Sequence, residues 1–279
     1  MVVTVIGLGL IGGSMALALK EKGIATKVIG VDRSDTHAQR ALELGLVDRI
    51  ATVREAVDAA QLVVLAVPVD ALSGLARDVL ERVTTQVVFD VGSTKEGVLA
   101  AVGDHPRRGR FVAAHPMWGT EHSGPEAAVR GAFTGKAAVI CDRDGSDEDA
   151  ALLVEHVYRS LGMHLVYMGA AEHDVHVAYI SHISHITSFA LANTVLEKEK
   201  EEEAIFELAS GGFESTVRLA KSNPAMWVPI LQQNRENVLD VLNEHIAQLR
   251  KFKACLEKEN YDYLLELIGQ ANKIKRILK

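Results

Sequence analysis

The stretch of sequence that decides the fold lies near the first residue: Val2-Val3-Thr4-Val5-Ile6-Gly7-Leu8-Gly9-Leu10-Ile11-Gly12. Strand-forming residues lead into a glycine-rich turn, and apolar residues with helical spacing follow the turn. In such a turn Gly7 permits the tight bend, Gly9 lets a diphosphate approach the backbone, and Gly12 lets the helix pack closely on the strand. The free amides at the start of that helix can bind the diphosphate. The pattern therefore predicts a dinucleotide site.

An acidic residue at the end of the second predicted strand supports a dinucleotide site. Asp32 comes twenty residues after Gly12, where a carboxylate accepts hydrogen bonds from the adenosine ribose. Its charge repels a 2′-phosphate, whereas the guanidinium of the next residue, Arg33, can accommodate one. On balance we predict NAD rather than NADP as the cofactor. The predicted cofactor-binding residues are Gly7, Leu8, Gly9, Leu10, Ile11, Gly12, Asp32 and Arg33.

Apolar runs of strand length alternate with stretches of helical spacing up to Met168. The runs are Val2–Ile6, Lys27–Val31, Leu62–Val67, Gln86–Val91, Phe111–Ala114, Ala137–Cys141 and His164–Met168. Strands that are apolar on both faces predict a parallel sheet covered by helices. After Met168 the pattern is helical throughout. We predict an α/β domain with a mostly parallel sheet over residues 1–169 and an all-α domain over residues 170–279.

The composition argues against several classes of protein. The formal net charge is −7 and no Lys/Arg stripe offsets it, so nucleic acid is not expected as the main ligand. The longest apolar run, Leu62–Val69, is too short to span a bilayer, and glycines interrupt the apolar start of the chain. Two cysteines, Cys141 and Cys255, cannot form a disulfide framework. We expect a cytoplasmic protein that binds neither nucleic acid nor membrane.

Two polar residues come directly after apolar strands, where open α/β sheets bind their ligands. Ser93 lies within Asp90-Val91-Gly92-Ser93-Thr94-Lys95, and His115 begins His115-Pro116-Met117-Trp118-Gly119-Thr120. Histidine is the natural general base near neutral pH, and a hydroxyl can hold its ring in one orientation. The alternatives are that His115 only packs beside its strand and that Ser93 only caps the following helix.

The predicted helical domain opens with four histidines: His173, His176, His182 and His185. Neither the cysteines of structural zinc nor the His-Glu-x-x-His order of hydrolytic zinc accompanies them, so no metal site is predicted. Ser181, His182, His185 and Arg218 remain as residues for a polar pocket, and arginine is suited to bidentate capture of a carboxylate. The residues alone predict a nicotinamide-dependent dehydrogenase of a small acidic molecule.

Five motifs in order resemble the prephenate/arogenate dehydrogenase family of tyrosine biosynthesis, and the resemblance covers essentially the whole chain. They are Gly7-Leu8-Gly9-Leu10-Ile11-Gly12, Asp90 to Lys95, His115 to Thr120, Ser181-His182-Ile183-Ser184-His185, and Gly211-Gly212-Phe213 through Arg218. The resemblance implies oxidative decarboxylation of prephenate to 4-hydroxyphenylpyruvate, or of arogenate to tyrosine. It also implies a Rossmann-like first domain and a helical domain that forms a homodimer. Val31-Asp32-Arg33 resembles the NAD-using members.

The resemblance also implies roles for individual residues. His115 resembles the catalytic histidine that binds the ring hydroxyl of the substrate. Ser93 resembles the serine that contacts both this histidine and the hydroxyl. Arg218 matches the arginine that binds a substrate carboxylate. His185, Thr120 and Ser181 fall in motifs of the substrate pocket. One departure is Ser184, where many members have proline. If His115 is the base, kcat should rise with pH through an ionisation near about 6.5.

Three alternatives stay open at this point. A 3-hydroxy-acid type of two-domain dehydrogenase needs a lysine on the first helix of its second domain, and residues 170–192 contain none. A catalytically silent NAD-binding sensor would not need His115, Ser93 and Arg218. Arogenate could replace prephenate as the substrate, because Glu121 or His122 could favour its amine. Apolar faces at Tyr179–Leu196 and Met226–Leu242 agree with a homodimer formed by the helical domain.

Overall fold

A computed structural model describes residues 1–200 and 205–277 of the chain. Its centre is an eight-stranded sheet with the strand order β3-β2-β1-β4-β5-β6-β7-β8. The strands are β1 Val2–Ile6, β2 Lys27–Val31, β3 Arg49–Ile50, β4 Leu62–Leu65, β5 Val87–Asp90, β6 Phe111–Pro116, β7 Ala137–Cys141 and β8 His164–Met168. All neighbours pair in parallel except β6 and β7, which are antiparallel. The predicted mostly parallel sheet is confirmed.

Helices connect the strands and make up the regular structure that follows them. They are α1 Leu10–Glu21, α2 Asp35–Glu43, α3 Val53–Ala59, α4 Val69–Leu80, α5 Glu96–Val102, α6 Glu148–Ser160, α7 Ala170–Val177, α8 Ile183–Glu199, α9 Gly211–Val217, α10 Pro224–Gln233, α11 Arg235–Glu257 and α12 Tyr261–Ala271. Short 3₁₀ turns link several of them, and a π-helical turn at Ala178–His182 joins α7 to α8. As predicted, residues 170–200 and 205–277 contain helices and no strand.

Both faces of the sheet are buried, which is why its strands read as continuous apolar runs. Val3 and Val5 of β1 point to one face, where they join a core that includes Met15 of α1 and Tyr158 of α6. Ile6 joins the core on the opposite face with residues of α3, α4 and α5. Because helices cover both faces, the ends of the strands are the places at which a ligand can reach the sheet.

The described residues up to Asn234 form one compact unit, and those from Arg235 onward form a second. Within the first unit, α7 packs against α5 and α10 packs against α4. These contacts join the first helices after Met168 to the unit that contains the sheet. The packing of the chain divides at Asn234, and the predicted domain boundary near Gly169 stays a prediction. Among the described residues, no helix is long and apolar enough to cross a membrane.

Candidate active site

The glycine turn has the geometry that its sequence predicts. Gly7 has a φ of +96°, and a Cβ there would overlap the carbonyl oxygen of Ala66. A Cβ on Gly12 would overlap the carbonyl oxygen of Gly7, so the start of α1 rests directly on the turn. Gly9 differs, because a Cβ there would meet nothing within 4 Å. Open space therefore lies over Gly9, beside the first amides of α1, which have no acceptor within the helix.

Asp32 has a structural role in addition to the predicted one. Its Oδ2 accepts a hydrogen bond from the Leu8 amide at 2.8 Å, and its Oδ1 accepts one from the Ser34 amide at 2.9 Å. The carboxylate thus ties the glycine turn to the end of β2 and keeps further lone pairs for ribose hydroxyls. Arg33 beside it is exposed. The open space over Gly9, the free amides of α1 and this carboxylate fit the diphosphate and ribose of NAD.

A buried ion pair fixes the carboxyl ends of β5 and β6. Asp90 and Lys95 are both fully buried, and their side chains form a salt bridge. Lys95 Nζ also donates to the Ala114 carbonyl oxygen at 2.8 Å, and the Ala114 amide donates to Asp90 Oδ1 at 3.2 Å. Removing one partner of such a pair costs about 3–5 kcal/mol. The pair therefore holds the backbone that carries His115, the residue after Ala114.

His115 is the penultimate residue of β6, which runs two residues further than the predicted strand. Its Nδ1 lies 2.9 Å from His173 Nε2, whereas Ser93 was expected to hold the ring. In the structure the residue beside that nitrogen is the buried His173 of α7, and the role expected of Ser93 stays a prediction. Ser93 is half-buried near the same strand ends. His115 Nε2 has no hydrogen-bond partner among residues 1–200 and 205–277.

The environment of His115 favours its neutral form. Loss of surrounding water is the largest cause, and nearby His173, Lys95 and His182 add to it; together they lower the pKa of His115 well below its ordinary value. The expected ionisation of kcat near about 6.5 is therefore corrected to a lower pH. A neutral imidazole has one nitrogen that can accept a proton, so the ring is ready to act as a base across the neutral range.

A second cluster is formed by residues of the π-helical turn, α8 and α10. The rings of His185 and Trp227 are stacked with centroids 3.4 Å apart, and His182 meets the same indole edge-on at 5.9 Å. His185 Nδ1 donates to the Ser181 carbonyl oxygen at 3.1 Å, so Ser181 contributes its backbone to this cluster. Burial is the main cause that lowers the pKa of His182 to about 4 and also lowers that of His185. Both shifts favour the neutral rings.

Arg218 lies near enough to this cluster to act on His185 through its charge. Its guanidinium donates to Glu121 Oε2 at 2.8 Å, and its positive charge contributes to lowering the pKa of His185. Arg218 is half-exposed, whereas the Glu121 side chain is 17% exposed. Thr120 Oγ1 accepts from the His122 amide at 3.3 Å, which shapes the loop that carries Glu121. The predicted anion-binding arginine is thus held by an acidic partner.

Comparison with known proteins identifies the family. Residues 15–167 match the family model described as "Prephenate dehydrogenase, nucleotide-binding domain", and residues 169–270 match "Prephenate dehydrogenase, dimerization domain". The chain belongs to the prephenate dehydrogenase family. It is 34% identical to prephenate dehydrogenase of Bacillus subtilis over 95% of this chain and 72% of that protein. It is 31% identical to cyclohexadienyl dehydrogenase of Zymomonas mobilis over 99% of this chain and 96% of that protein.

Solved structures of the family share the whole architecture. Prephenate dehydrogenase of Aquifex aeolicus, crystallised with hydroxyphenyl propionate and NAD+, matches with a TM-score of 0.90 at 30% identity. The match covers 99% of this chain and 97% of that one. Synechocystis arogenate dehydrogenase matches with a TM-score of 0.78 at 26% identity, and the match covers 100% of both chains.

The sequence analysis missed several residues of the candidate active site. His173 was weighed only as a metal ligand, and Asp174, beside it, was not considered. Among the described residues no group of three His, Cys, Asp or Glu side chains is arranged to hold a metal ion. Trp227 was also missed, although its stacking on His185 organises the second cluster. The paired acid and base in Asp90 to Lys95 were the one local signal that could have pointed to a buried ion pair.

Proposed function

We propose that the chain catalyses the NAD-dependent oxidative decarboxylation of prephenate to 4-hydroxyphenylpyruvate, with release of CO₂, as a step of tyrosine biosynthesis. The assignment of roles rests on the position of His115, its hydrogen bond and its lowered pKa. The ring stands at the carboxyl end of β6, is held through Nδ1, and has a pKa well below its ordinary value. Its remaining nitrogen is available to accept the proton of the substrate's ring hydroxyl.

The reaction needs alignment and a proton acceptor more than it needs activation. The carbon that bears the hydroxyl gives up a hydride, the ring carboxylate leaves as CO₂, and the ring becomes aromatic, which drives the reaction. The glycine turn and Asp32 would hold NAD, whose nicotinamide would supply the hydride acceptor. His115 Nε2 takes the hydroxyl proton as the hydride leaves and returns it to the ring oxygen as CO₂ departs, so the product keeps its hydroxyl. Ser93 binds the same oxygen. General-base help of this kind contributes about 10²–10⁴-fold to the rate.

Arg218 binds the substrate carboxylate that stays, because tight pairing with the one that leaves would oppose decarboxylation. Its guanidinium contacts Glu121 in the free protein, so substrate must compete with or share this contact. We assign His185, Thr120 and Ser181 to the same substrate pocket. The neutral His185 ring, stacked on Trp227, offers an apolar face and an Nε2 acceptor beside the guanidinium.

A second candidate substrate is arogenate, which carries an ammonium group where prephenate carries a keto group. The observation that favours it is the Glu121 carboxylate, which lies 2.8 Å from Arg218 and can pair with an amine. Similar proteins named for each activity belong to the same family. Turnover of prephenate and arogenate under the same conditions separates the two candidates.

The test follows NADH formation with each substrate for the wild type and two variants. In His115→Asn, kcat should fall by about 10²–10⁴-fold with KM nearly unchanged. The control is His164→Asn, which changes an exposed histidine at the edge of the sheet and should keep wild-type kcat. Failure of the wild type to form NADH with either substrate would overturn the proposal and favour the sensor. A folded His115→Asn with normal kcat would remove the assignment of the base.

We further propose that the helical residues 170–279 form the substrate and dimerisation domain of a cytoplasmic homodimer. Large apolar side chains on these helices are exposed in the single chain, and a second copy would cover them. On α10, Val228 is 61% exposed; on α12, Leu265 is 72% exposed. The matched family model for residues 169–270 describes a dimerization domain, which supports this assignment.

A further inference from the structure

A chain of hydrogen bonds leads from a buried carboxylate to His115. Asp174 Oδ1 lies 2.7 Å from His173 Nδ1, and His173 Nε2 lies 2.9 Å from His115 Nδ1. His173 and Asp174 are 1% and 2% exposed. Protein groups rather than bulk water therefore decide which atom donates at each link.

The direction of the first link is set by the surroundings of Asp174. Its Oδ1 accepts the Lys95 amide at 2.8 Å, and its Oδ2 accepts the Glu96 amide at 3.0 Å. Backbone amides can only donate, and an ionised carboxylate can only accept. With both oxygens serving as acceptors, the third partner must also donate. Nδ1 of His173 therefore carries a hydrogen.

The direction of the second link follows from the first. In its neutral form His173 has one N–H and one bare nitrogen, so with hydrogen on Nδ1 its Nε2 is bare and accepts. His115 Nδ1 must then donate to it, which leaves His115 Nε2 with its lone pair. We propose that Asp174 and His173 are positioning residues that hold His115 in the Nδ1–H tautomer, the one whose Nε2 can take a proton. This inference rests on the proposed role of His115 as the base.

The opposite tautomer would stop the reaction at its first proton transfer. With hydrogen on Nε2, His115 would present a donor to the substrate hydroxyl and could not accept its proton. In the proposed tautomer the proton arrives at Nε2 while Nδ1–H keeps its bond to His173. No hydrogen bond in the chain reverses as His115 becomes positively charged, and the Asp174 carboxylate stabilises that charge through the intervening ring.

A purely structural role is the competing explanation, because Asp174 also joins α7 to the start of α5 through the two amides. The His173 substitutions separate the two roles. Glutamine at this position can still offer an oxygen acceptor to His115 Nδ1, whereas leucine fills the space without an acceptor. His176→Leu is the matched control, because His176 lies on the same helix and is exposed.

The decisive measurement is the protonation of the His115 ring nitrogens, read by ¹⁵N NMR on histidine-labelled enzyme with NAD bound. The His115 signals are identified by their loss in His115→Asn. The wild type at neutral pH should show a protonated Nδ1 and a bare Nε2. His173→Leu should give a mixture of tautomers and a kcat lower by about 10- to 100-fold, with KM nearly unchanged. His173→Gln should retain the Nδ1–H tautomer and more of the activity, and His176→Leu should match the wild type.

Two results would overturn the inference. One is a wild-type His115 with hydrogen on Nε2, and the other is a folded His173→Leu whose tautomer and kcat equal those of the wild type. If His173→Leu does not fold, the wild-type and His173→Gln spectra still decide the question. The tautomer measurement needs no substrate, so it is independent of whether prephenate is turned over. Absence of turnover by the wild type would instead count against the proposed function.

Discussion

The two glycines of the cofactor turn should respond in opposite ways to the same added methyl group. Gly9 has a φ of −79° and a ψ of −159°, which alanine adopts without strain. Its Cβ would enter open space, whereas a Cβ on Gly12 would overlap the backbone oxygen of Gly7. Gly9→Ala should therefore weaken NAD binding and spare the fold. Gly12→Ala should damage the fold itself.

The structure sets the size of each effect. In Gly12→Ala the overlap involves backbone, so overpacking at the upper end of about 1–3 kcal/mol is expected. The better helix propensity of alanine offsets about 1 kcal/mol of it, which leaves a loss of about 2 kcal/mol. In Gly9→Ala the NAD-free stability should stay equal or rise by up to about 1 kcal/mol. Losing one hydrogen bond to the charged diphosphate costs about 1.5–3 kcal/mol, which raises Kd for NAD about 10- to 150-fold.

Calorimetric titration with NAD and thermal unfolding of the NAD-free protein measure the two quantities separately. The matched control is Gly74→Ala, because Gly74 is an exposed glycine of α4 whose Cβ would also meet nothing within 4 Å. It should leave NAD affinity unchanged. Wild-type affinity in Gly9→Ala would show that the diphosphate does not lie over Gly9. A destabilised NAD-free Gly9→Ala would refute the assignment of that space to the ligand.

Four further outcomes are expected. NAD should be used with a higher kcat/KM than NADP. Asp32→Ser should reduce this difference in kcat/KM, because it removes the carboxylate that repels the 2′-phosphate of NADP; a wild type that prefers NADP contradicts this. Arg218→Ala should raise KM for prephenate about 30-fold, since a half-exposed pair contributes at the lower end of about 2–5 kcal/mol; a change confined to kcat would argue against carboxylate binding. Because the pKa of His115 is lowered, kcat should stay flat from neutral pH to below about 6.5 and fall only in more acidic solution, as a pH–rate profile will show. Sedimentation at micromolar concentration should find a dimer, and a monomer would contradict the assembly.

The sheet and the cofactor turn were predictable from sequence because both depend on local patterns. Four of the predicted strands have the bounds that the structure gives them, among them β1 and β7. β3 was missed because Arg49–Ile50 is too short to show a period. The predicted end of β4 at Val67 was two residues late: the strand ends at Leu65, and the Ala66 carbonyl oxygen lies against Gly7 of the cofactor turn.

The residues that hydrogen-bond to the candidate site residues were much harder to predict than the site residues themselves. His115 was found from its place after a strand, but its partner His173 lies 58 residues away along the chain. The packing of α7 against α5 and β7 brings the two together. The same holds for Arg218 and Glu121, which are 97 residues apart. A motif indicates which residue types are needed, whereas a contact between elements depends on tertiary structure that no local pattern contains.

Two separate features of the site act on the same property of His115. Loss of surrounding water is the main cause of the low pKa that favours the neutral ring, but neutrality alone leaves open which nitrogen bears the hydrogen. The bonds through His173 to Asp174 settle that choice by donor and acceptor count. The low pKa of His115 and its tautomer can therefore be changed independently. A substitution that lets water reach the ring would raise its pKa without altering the tautomer. A change at His173 would alter the tautomer of a ring that is still neutral, so acid–base titration alone would miss it.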